Sequence, residues 1–173
     1  MDLASLIRNV PDFPKPGIQF KDITTLVMNG PAFREIIDGW KARYAGQDIA
    51  AIVGADARGF IFGAALAYAM GLGFVPVRKK GKLPADTIAE EFDLEYGKDT
   101  LEIHLDALKP GDRVVLVDDL LATGGTMAAM ASLVKKLGAE IVEVAFVVEL
   151  PELKGRDKLA GLPVHVLVQF EGV

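Results

Sequence analysis

A chain of 173 residues fits one domain with a full hydrophobic core, and 51% apolar with 25% charged residues is the balance of a soluble globular protein. The formal net charge of -5 argues against nucleic acid as the main partner. No cysteine and only two histidines, His104 and His165, exclude disulfides, thiol nucleophiles and Cys- or His-rich metal sites.

The opening Met1-Asp2-Leu3-Ala4 has neither the basic nor the apolar stretch of a signal peptide. No uncharged apolar run reaches the ~18–20 residues that span a bilayer, so a cytoplasmic protein with no membrane partner is expected. Leu3, Leu6 and Ile7 suit a short amphipathic helix ended by Pro11. The segment Asp12 to Thr24 carries Pro14, Pro16 and Gly17, which forbid regular helix and favour an ordered extended loop. Phe13 and Phe20 in such a stiff loop offer a stacking face for a flat ring, or simply cover a sheet edge.

Asn29-Gly30-Pro31 starts a helix through Tyr44, with Phe33, Ile36, Ile37 and Trp40 at core spacing. Ile49 to Val53 reads as a buried strand, and Gly54 to Phe60 as a turn carrying Asp56 and Arg58 before a helix to about Met70. The forked donors of Arg58 suit a diphosphate, though a solvated turn arginine fits the pattern as well. Phe74 to Val77 is a short strand running into Arg78-Lys79-Lys80-Gly81-Lys82, a cationic run that is either a polyanion site or a solvated face.

From Leu83 to Asp106 the strand–helix rhythm breaks. Phe92 to Gly97 and Thr100 to Leu105 each alternate around Gly97-Lys98-Asp99, the pattern of an antiparallel hairpin. An excursion of this length between parallel strands is expected to be a movable flap, about residues 83–106.

Val114 to Val117 is a β-branched and apolar run, as in a strand buried on both faces. Asp118 and Asp119 follow at its carboxyl end, where open α/β sheets bind ligands. Ala122-Thr123-Gly124-Gly125-Thr126 then feeds a helix from Met127 to Leu137. Free N–H groups and the positive dipole end at a helix N-terminus make an anion site, and the two glycines are expected to reach positive φ and approach a phosphate closely. Two acids for sugar hydroxyls with a phosphate cradle beside them form a ribose-5-phosphate grip. The stretch is neither a Walker A loop, since Gly125 is followed by Thr126 and Met127, nor a G-x-G-x-x-G. Ile141 to Val148 and Val164 to Val168 are two further strands, separated by a turn-rich segment. Five strand candidates alternating mostly with helices predict an α/β fold, a doubly wound, mainly parallel five-stranded sheet with a small hood.

Several of these segments, in order, resemble the type I phosphoribosyltransferases: Phe13 to Thr24, Ala55 to Phe60, Arg78 to Pro84, Leu94 to Gly97 and Val117 to Thr126. The proline-rich segment and the Arg-Gly-Phe loop are similar to the adenine-specific branch. The resemblance spans Asp12 to Phe170 and implies one domain over 1–173, with a hood from 12–28 and the C-terminal segment. It implies transfer of a 5-phosphoribosyl group from phosphoribosyl pyrophosphate to adenine, with magnesium held mainly through that substrate and no dedicated protein metal site, in a homodimer. By the same resemblance Ala122, Thr123, Gly124, Gly125 and Thr126 bind the 5-phosphate, and Asp118 and Asp119 hold the ribose. Ala57 and Arg58 face the pyrophosphate, with a cis peptide at Asp56–Ala57, and Arg78, Lys79 and Lys82 serve the pyrophosphate too. Gln19, Phe20 and Lys21 frame the adenine, largely through main chain, and Leu150 closes the other side of the ring. Glu95, beside Tyr96 on the flap, is the candidate for proton transfer near the base. Gln19 departs from the pattern, in which a small apolar residue is common. A 6-oxopurine enzyme and a non-catalytic phosphoribosyl pyrophosphate sensor are the alternatives on this fold. A sensor regulating transcription calls for a basic DNA-binding appendage, which this chain lacks.

Overall fold

The computed structural model describes residues 1–94 and 96–172. A 3₁₀ turn at Ala4–Leu6 leads into β1 (Arg8–Pro11), which pairs antiparallel with β2 (Gln19–Asp22). The short helix expected before Pro11 is thus only the turn at Ala4–Leu6, and a strand pair replaces the single extended loop expected after it. The Arg8 side chain donates to Asp22 Oδ2 at 2.6 Å and the Arg8 N–H donates to Thr25 Oγ1 at 3.2 Å. Those contacts from distant residues hold the chain extended where local pattern favoured helix. The prolines lie in the hairpin's bend, which is closed where the Gly17 N–H donates to Asp12 Oδ1 at 2.8 Å.

After α1 (Thr24–Val27) comes α2 (Gly30–Tyr44), starting where predicted. Asn29 caps it by accepting the Ala32 N–H at 3.1 Å, and Pro31 occupies the first turn, where its missing N–H costs nothing. Ile36, Ile37, Trp40 and Tyr44 form its buried face.

The remaining elements alternate: β3 (Ala51–Ala55), α3 (Arg58–Met70), β4 (Gly73–Lys79), β5 (Thr87–Asp93), β6 (Lys98–His104), β7 (Arg113–Leu121), α4 (Gly125–Lys136), β8 (Glu140–Glu149) and β9 (Val164–Gln169). The five predicted strands are the parallel set, in the order β4-β3-β7-β8-β9. Two cores flank it. One packs Ile36, Trp40, Phe62 and Leu66 of α2 and α3 against Ile52, Val115 and Val147. The other packs Met130, Leu133 and Val134 of α4 against Val53, Leu116 and Phe146. Sheet residues thus alternate between the two sides, and each fully buried aliphatic side chain contributes about 1.5–3 kcal/mol.

The sheet has seven strands, two more than expected. The hairpin β5–β6 forms as predicted and also joins the sheet edge, β6 running antiparallel to β4 through Arg78↔Glu102 and Lys79↔Leu101. The reason is that β4 continues past Val77 into the cationic run, exposing two more residues of edge for pairing. Leu101 and Ile103 seal the junction by entering the core under α4.

Candidate functional site

β7 delivers Asp118 and Asp119 to the carboxyl end of the sheet, beside the N-terminus of α3. Helix and strand meet there without a side chain between them. A Cβ on Gly59 would stand 2.9 Å from Asp118 Oδ1 and 3.2 Å from the Val117 carbonyl, so only glycine fits. This close approach brings Arg58 Nε to 2.5 Å from Asp119 Oδ2. Asp119 is buried, at 5% exposure, and Arg58 supplies its counter-charge. Asp118 Oδ1 accepts the N–H of Asp119 at 2.8 Å. Burial and the Asp119 carboxylate push the Asp118 carboxyl well above the usual carboxylate range.

The chain then turns through Ala122 and Thr123 into α4. Gly124 takes the left-handed conformation, φ 86°, as the residue before the helix. Gly125 is the first helical residue and has an ordinary helical backbone, so the expectation of positive φ holds for one glycine of the pair. The three-residue loop Ala122 to Gly124 reverses hand once, at Gly124, before the helix begins. Arg58, the segment from Asp118 to Met127, and Phe146 enclose a cavity of about 150 Å³. Acids, a guanidinium and the N-terminus of α4 therefore converge on one small polar space, which brings Arg58, Asp118, Asp119 and Ala122 to Thr126 together.

A second hollow of about 360 Å³ is also lined by Arg58, together with Val10, Phe13, Phe20, Asp22 and Thr24. Phe13 and Phe20 meet edge to face at 5.2 Å, and the Arg58 guanidinium stands 5.8 Å from the Phe20 ring. The Arg8 side chain, with the backbone and hydroxyl of Thr24, holds the Asp22 carboxyl down at about 2. Along β2, Phe20 faces this hollow while the side chains beside it turn elsewhere. Gln19 Oε1 accepts from Asn9 at 2.8 Å, and Lys21 Nζ donates to Asn9 Oδ1 at 2.8 Å and lies 4.8 Å from the Phe170 ring. Both side chains are thus drawn to Asn9.

Other predicted residues stand further out. The Asp56–Ala57 peptide is cis, as the resemblance implied. Arg78 Nε donates to Asp56 Oδ2 at 2.9 Å, Lys79 Nζ lies 3.3 Å from Asp99 Oδ2, and Lys82 is exposed. None of these three cations lines the small cavity. Leu150 is buried just beyond β8, and its N–H donates to the Leu121 carbonyl at 3.0 Å. Tyr96 is 81% exposed, with Lys15 Nζ 5.8 Å from its ring. Glu95 lies outside the described residues.

Sequence reasoning missed Gly59 and Gly155 as parts of the site. A Cβ on Gly155 would meet the Ala122 carbonyl at 2.5 Å, and one on Gly124 would run into the Gly155 carbonyl. Gly59 was signalled by its place inside the Arg-Gly-Phe turn. Gly155 sits in a lysine-rich stretch that offers no signal of its own.

Comparison with known proteins places the chain in a family. Residues 27–161 match the phosphoribosyl transferase domain family. The adenine phosphoribosyltransferase of Chloroflexus aurantiacus is 60% identical over 169 residues, 98% of each chain. Adenine phosphoribosyltransferase 1 of Triticum aestivum is 56% identical over 98% of this chain and 93% of its own. The crystal structure of the enzyme from Thermoanaerobacter pseudethanolicus superposes with a TM-score of 0.94 at 51% identity, covering 98% of both chains. That of Saccharomyces cerevisiae, solved with an imino-altritol bisphosphate and adenine, gives 0.92 at 42% identity over 96% of both. With a family match over most of its length and full-length relatives at this identity, the chain belongs to the adenine phosphoribosyltransferases.

Proposed function

We propose that the chain transfers the 5-phosphoribosyl group from phosphoribosyl pyrophosphate to adenine, releasing AMP and pyrophosphate. The observation that carries this reading is the position of Arg58, shared by a small polar cavity and an aromatic-lined hollow beside it. Two adjoining spaces suit two substrates, a sugar phosphate and a flat base. The yeast relative, solved with a bisphosphate and adenine together, is in keeping with that division.

In this reading the N–H groups of Gly124 to Thr126, with the Thr123 and Thr126 hydroxyls, hold the 5-phosphate at the N-terminus of α4. Asp118 and Asp119 accept the ribose hydroxyls. When the bond from C1 to pyrophosphate breaks, positive charge grows on the ribose ring, and the fixed negative charge of this pair stabilises it. Arg58 and the Ala57 turn receive the departing diphosphate, and Arg78, Lys79 and Lys82 add a cationic rim. Phe20 and Leu150 flank the adenine, main-chain groups of Gln19 to Lys21 meet its edge, and Glu95, beside Tyr96, takes or orients the proton at the base. A flap that excludes water limits hydrolysis of the reactive sugar.

Magnesium fits the chemistry of the site, whose acidic donors are carboxylate oxygens. It would be held mainly through the substrate's own oxygens, with Asp118 and Asp119 as the cavity's carboxylates, and would neutralise charge on the diphosphate. No helix among the described residues is long and apolar enough to cross a membrane. A cytoplasmic homodimer completes the reading. Ile61 and Tyr68, 39% and 89% exposed on α3, offer apolar surface for the second copy.

Purified protein supplied with adenine, phosphoribosyl pyrophosphate and magnesium should form AMP, read by chromatography. Failure to form AMP with any added divalent ion would move the assignment to a sensor. Light scattering at assay concentration tests the dimer, and a monomer mass would remove that part.

A further inference from the structure

We propose that Glu149 is a positioning residue for the 5-phosphate loop, acting through Arg156 and Gly155. This rests on the reading that Ala122 to Thr126 takes the 5-phosphate. Glu149 ends β8 and is 2% exposed, so it touches no substrate. Its carboxylate is nonetheless fully engaged. Arg156 Nε donates to Oε2 at 2.6 Å, Arg156 Nη2 to Oε1 at 3.1 Å, and Gln169 Nε2 to Oε1 at 2.6 Å. Burying a carboxylate is costly, and a forked guanidinium is the group that offsets the cost while fixing a direction. A buried ion pair is weak evidence for stability, and here a buried carboxylate is tied to a half-exposed guanidinium, which fixes where Arg156 sits against the sheet.

What they place is the 3₁₀ segment Gly155–Leu159. Arg156 is anchored to Glu149, and its chain neighbour Gly155 lies directly beneath the phosphate loop. The Gly155 carbonyl occupies the space that a Cβ of Gly124 would need, and the Ala122 carbonyl and Leu121 side chain occupy the space that a Cβ of Gly155 would need. Between Gly124 and Gly155 the contact is backbone on backbone, and the Leu121 side chain packs beside it. Glu149 is tied to the same strand from the other side, paired with Leu121 in the sheet, while the Leu150 N–H donates to the Leu121 carbonyl at 3.0 Å. The sheet thus sets the height of Gly124 through a rigid chain of contacts from Glu149 to Arg156 to Gly155. Anion-binding N–H groups work only when held within a few tenths of an ångström, so loss of the strut should appear as loss of phosphate affinity.

The test titrates ribose 5-phosphate into the purified protein by calorimetry, beside steady-state kinetics. Arg156→Met and Glu149→Gln loosen the strut from below, Gly155→Ala displaces the loop from the strut side with the ion pair intact, and Thr126→Ala removes a direct phosphate contact. The strut predicts that each of the first three weakens ribose 5-phosphate roughly ten-fold and raises the KM for phosphoribosyl pyrophosphate in step, with the KM for adenine within about two-fold. Arg156→Lys, which keeps one donor, should recover part of the loss. If Thr126→Ala loses affinity while the other three bind normally and only melt earlier, the strut is overturned and the phosphate loop stands. If Thr126→Ala also binds normally, the phosphate assignment itself falls and the strut with it. Should Arg156→Met fail to fold, Glu149→Gln and Gly155→Ala decide.

Discussion

Arg58 Nε lies 2.5 Å from Asp119 Oδ2, so the cation assigned to the leaving diphosphate is held by a carboxylate assigned to the ribose. The pair joins a half-exposed guanidinium to a buried carboxylate, the arrangement in which removing the cation strands a charge. Arg58→Gln should therefore act twice. The KM for phosphoribosyl pyrophosphate should rise by roughly 10–10²-fold through the lost diphosphate contact, and the protein should lose on the order of 1–2 kcal/mol of stability, less than a sealed pair because Arg58 is partly solvated. Steady-state kinetics and a denaturant titration check both. A KM equal to that of the parent would show that Arg58 serves Asp119 alone.

The two glycines of the phosphate loop should respond differently. Gly124→Ala places a side chain at φ 86° and drives it into the Gly155 carbonyl. The backbone term alone costs about 1–2 kcal/mol, and phosphoribosyl pyrophosphate affinity should fall about ten-fold or more. Gly125→Ala adds a Cβ 3.4 Å from the Phe92 ring, an ordinary contact, on a helical backbone. It should stay within about three-fold of the parent, since alanine is the better helix former. Equal damage at both positions would mean that the N–H groups of the loop, and not its path over Gly155, set the sensitivity.

Asp118 should trade stability for function. Its carboxyl is raised in the folded protein by burial and by Asp119, so ionising it opposes folding. The cost is absent below the unfolded value of 3.8, grows as pH rises above it, and is complete above the folded value. Asp118→Asn keeps an oxygen for the Asp119 N–H and removes the charge. It should melt higher than the parent at pH 7 to 8, with the advantage shrinking to nothing towards pH 3, while kcat falls by roughly 10²-fold. A melting advantage that does not change with pH would place its origin outside the carboxyl's ionisation.

What could be read from sequence was what is local. Val114 to Thr126 is a strand, two acids and a helix entry in one unbroken stretch, and the two-sided burial of Val114 to Val117 shows in its composition. Asn29-Gly30-Pro31 likewise carries its own helix start. The illegible parts are contacts between distant segments. Nothing in Lys154-Gly155-Arg156 indicates that it floors a loop before α4, and nothing in Arg8 reveals the partner that turns a presumed helix into β1. The hairpin β5–β6 was visible in its alternation, but its docking on β4 depends on the edge left by Arg78 and Lys79.

That docking limits the flap's freedom. Phe92 packs beside Gly125, Glu90 pairs with Lys136 on α4, and Leu101 and Ile103 are buried. Hydrogen exchange in the free protein should be fast in Leu94, Tyr96 and Gly97 and slow in β6, with the tip slowing when substrates bind. Protection of the tip equal in both states would rule out a moving lid.

Base selectivity is the prediction that decides the reaction. β2 has β1 on one edge, so alternate main-chain N–H and C=O groups along Gln19 to Asp22 point from the other. The hairpin is stiffened by the Gly17 N–H to Asp12 bond at 2.8 Å and by Asp22 Oδ1, which accepts the Thr24 N–H at 2.9 Å and its hydroxyl at 2.7 Å. Adenine presents an amino donor beside an N1 acceptor, and hypoxanthine and guanine reverse that pair with a carbonyl and an N1–H. A side-chain amide could turn to suit either pattern. A strand edge cannot, and the Gln19 amide oxygen already accepts from Asn9. A 6-oxopurine in the hollow between Phe20 and Arg58 would bury two mismatched groups at about 1–3 kcal/mol each, or roughly 10²–10⁴-fold in kcat/KM. Adenine should therefore give AMP readily, and hypoxanthine and guanine should be turned over poorly or not at all, in a radiolabelled-base assay. Comparable rates with hypoxanthine would reassign the chain's chemistry to 6-oxopurines and show that the edge of β2 does not read the base.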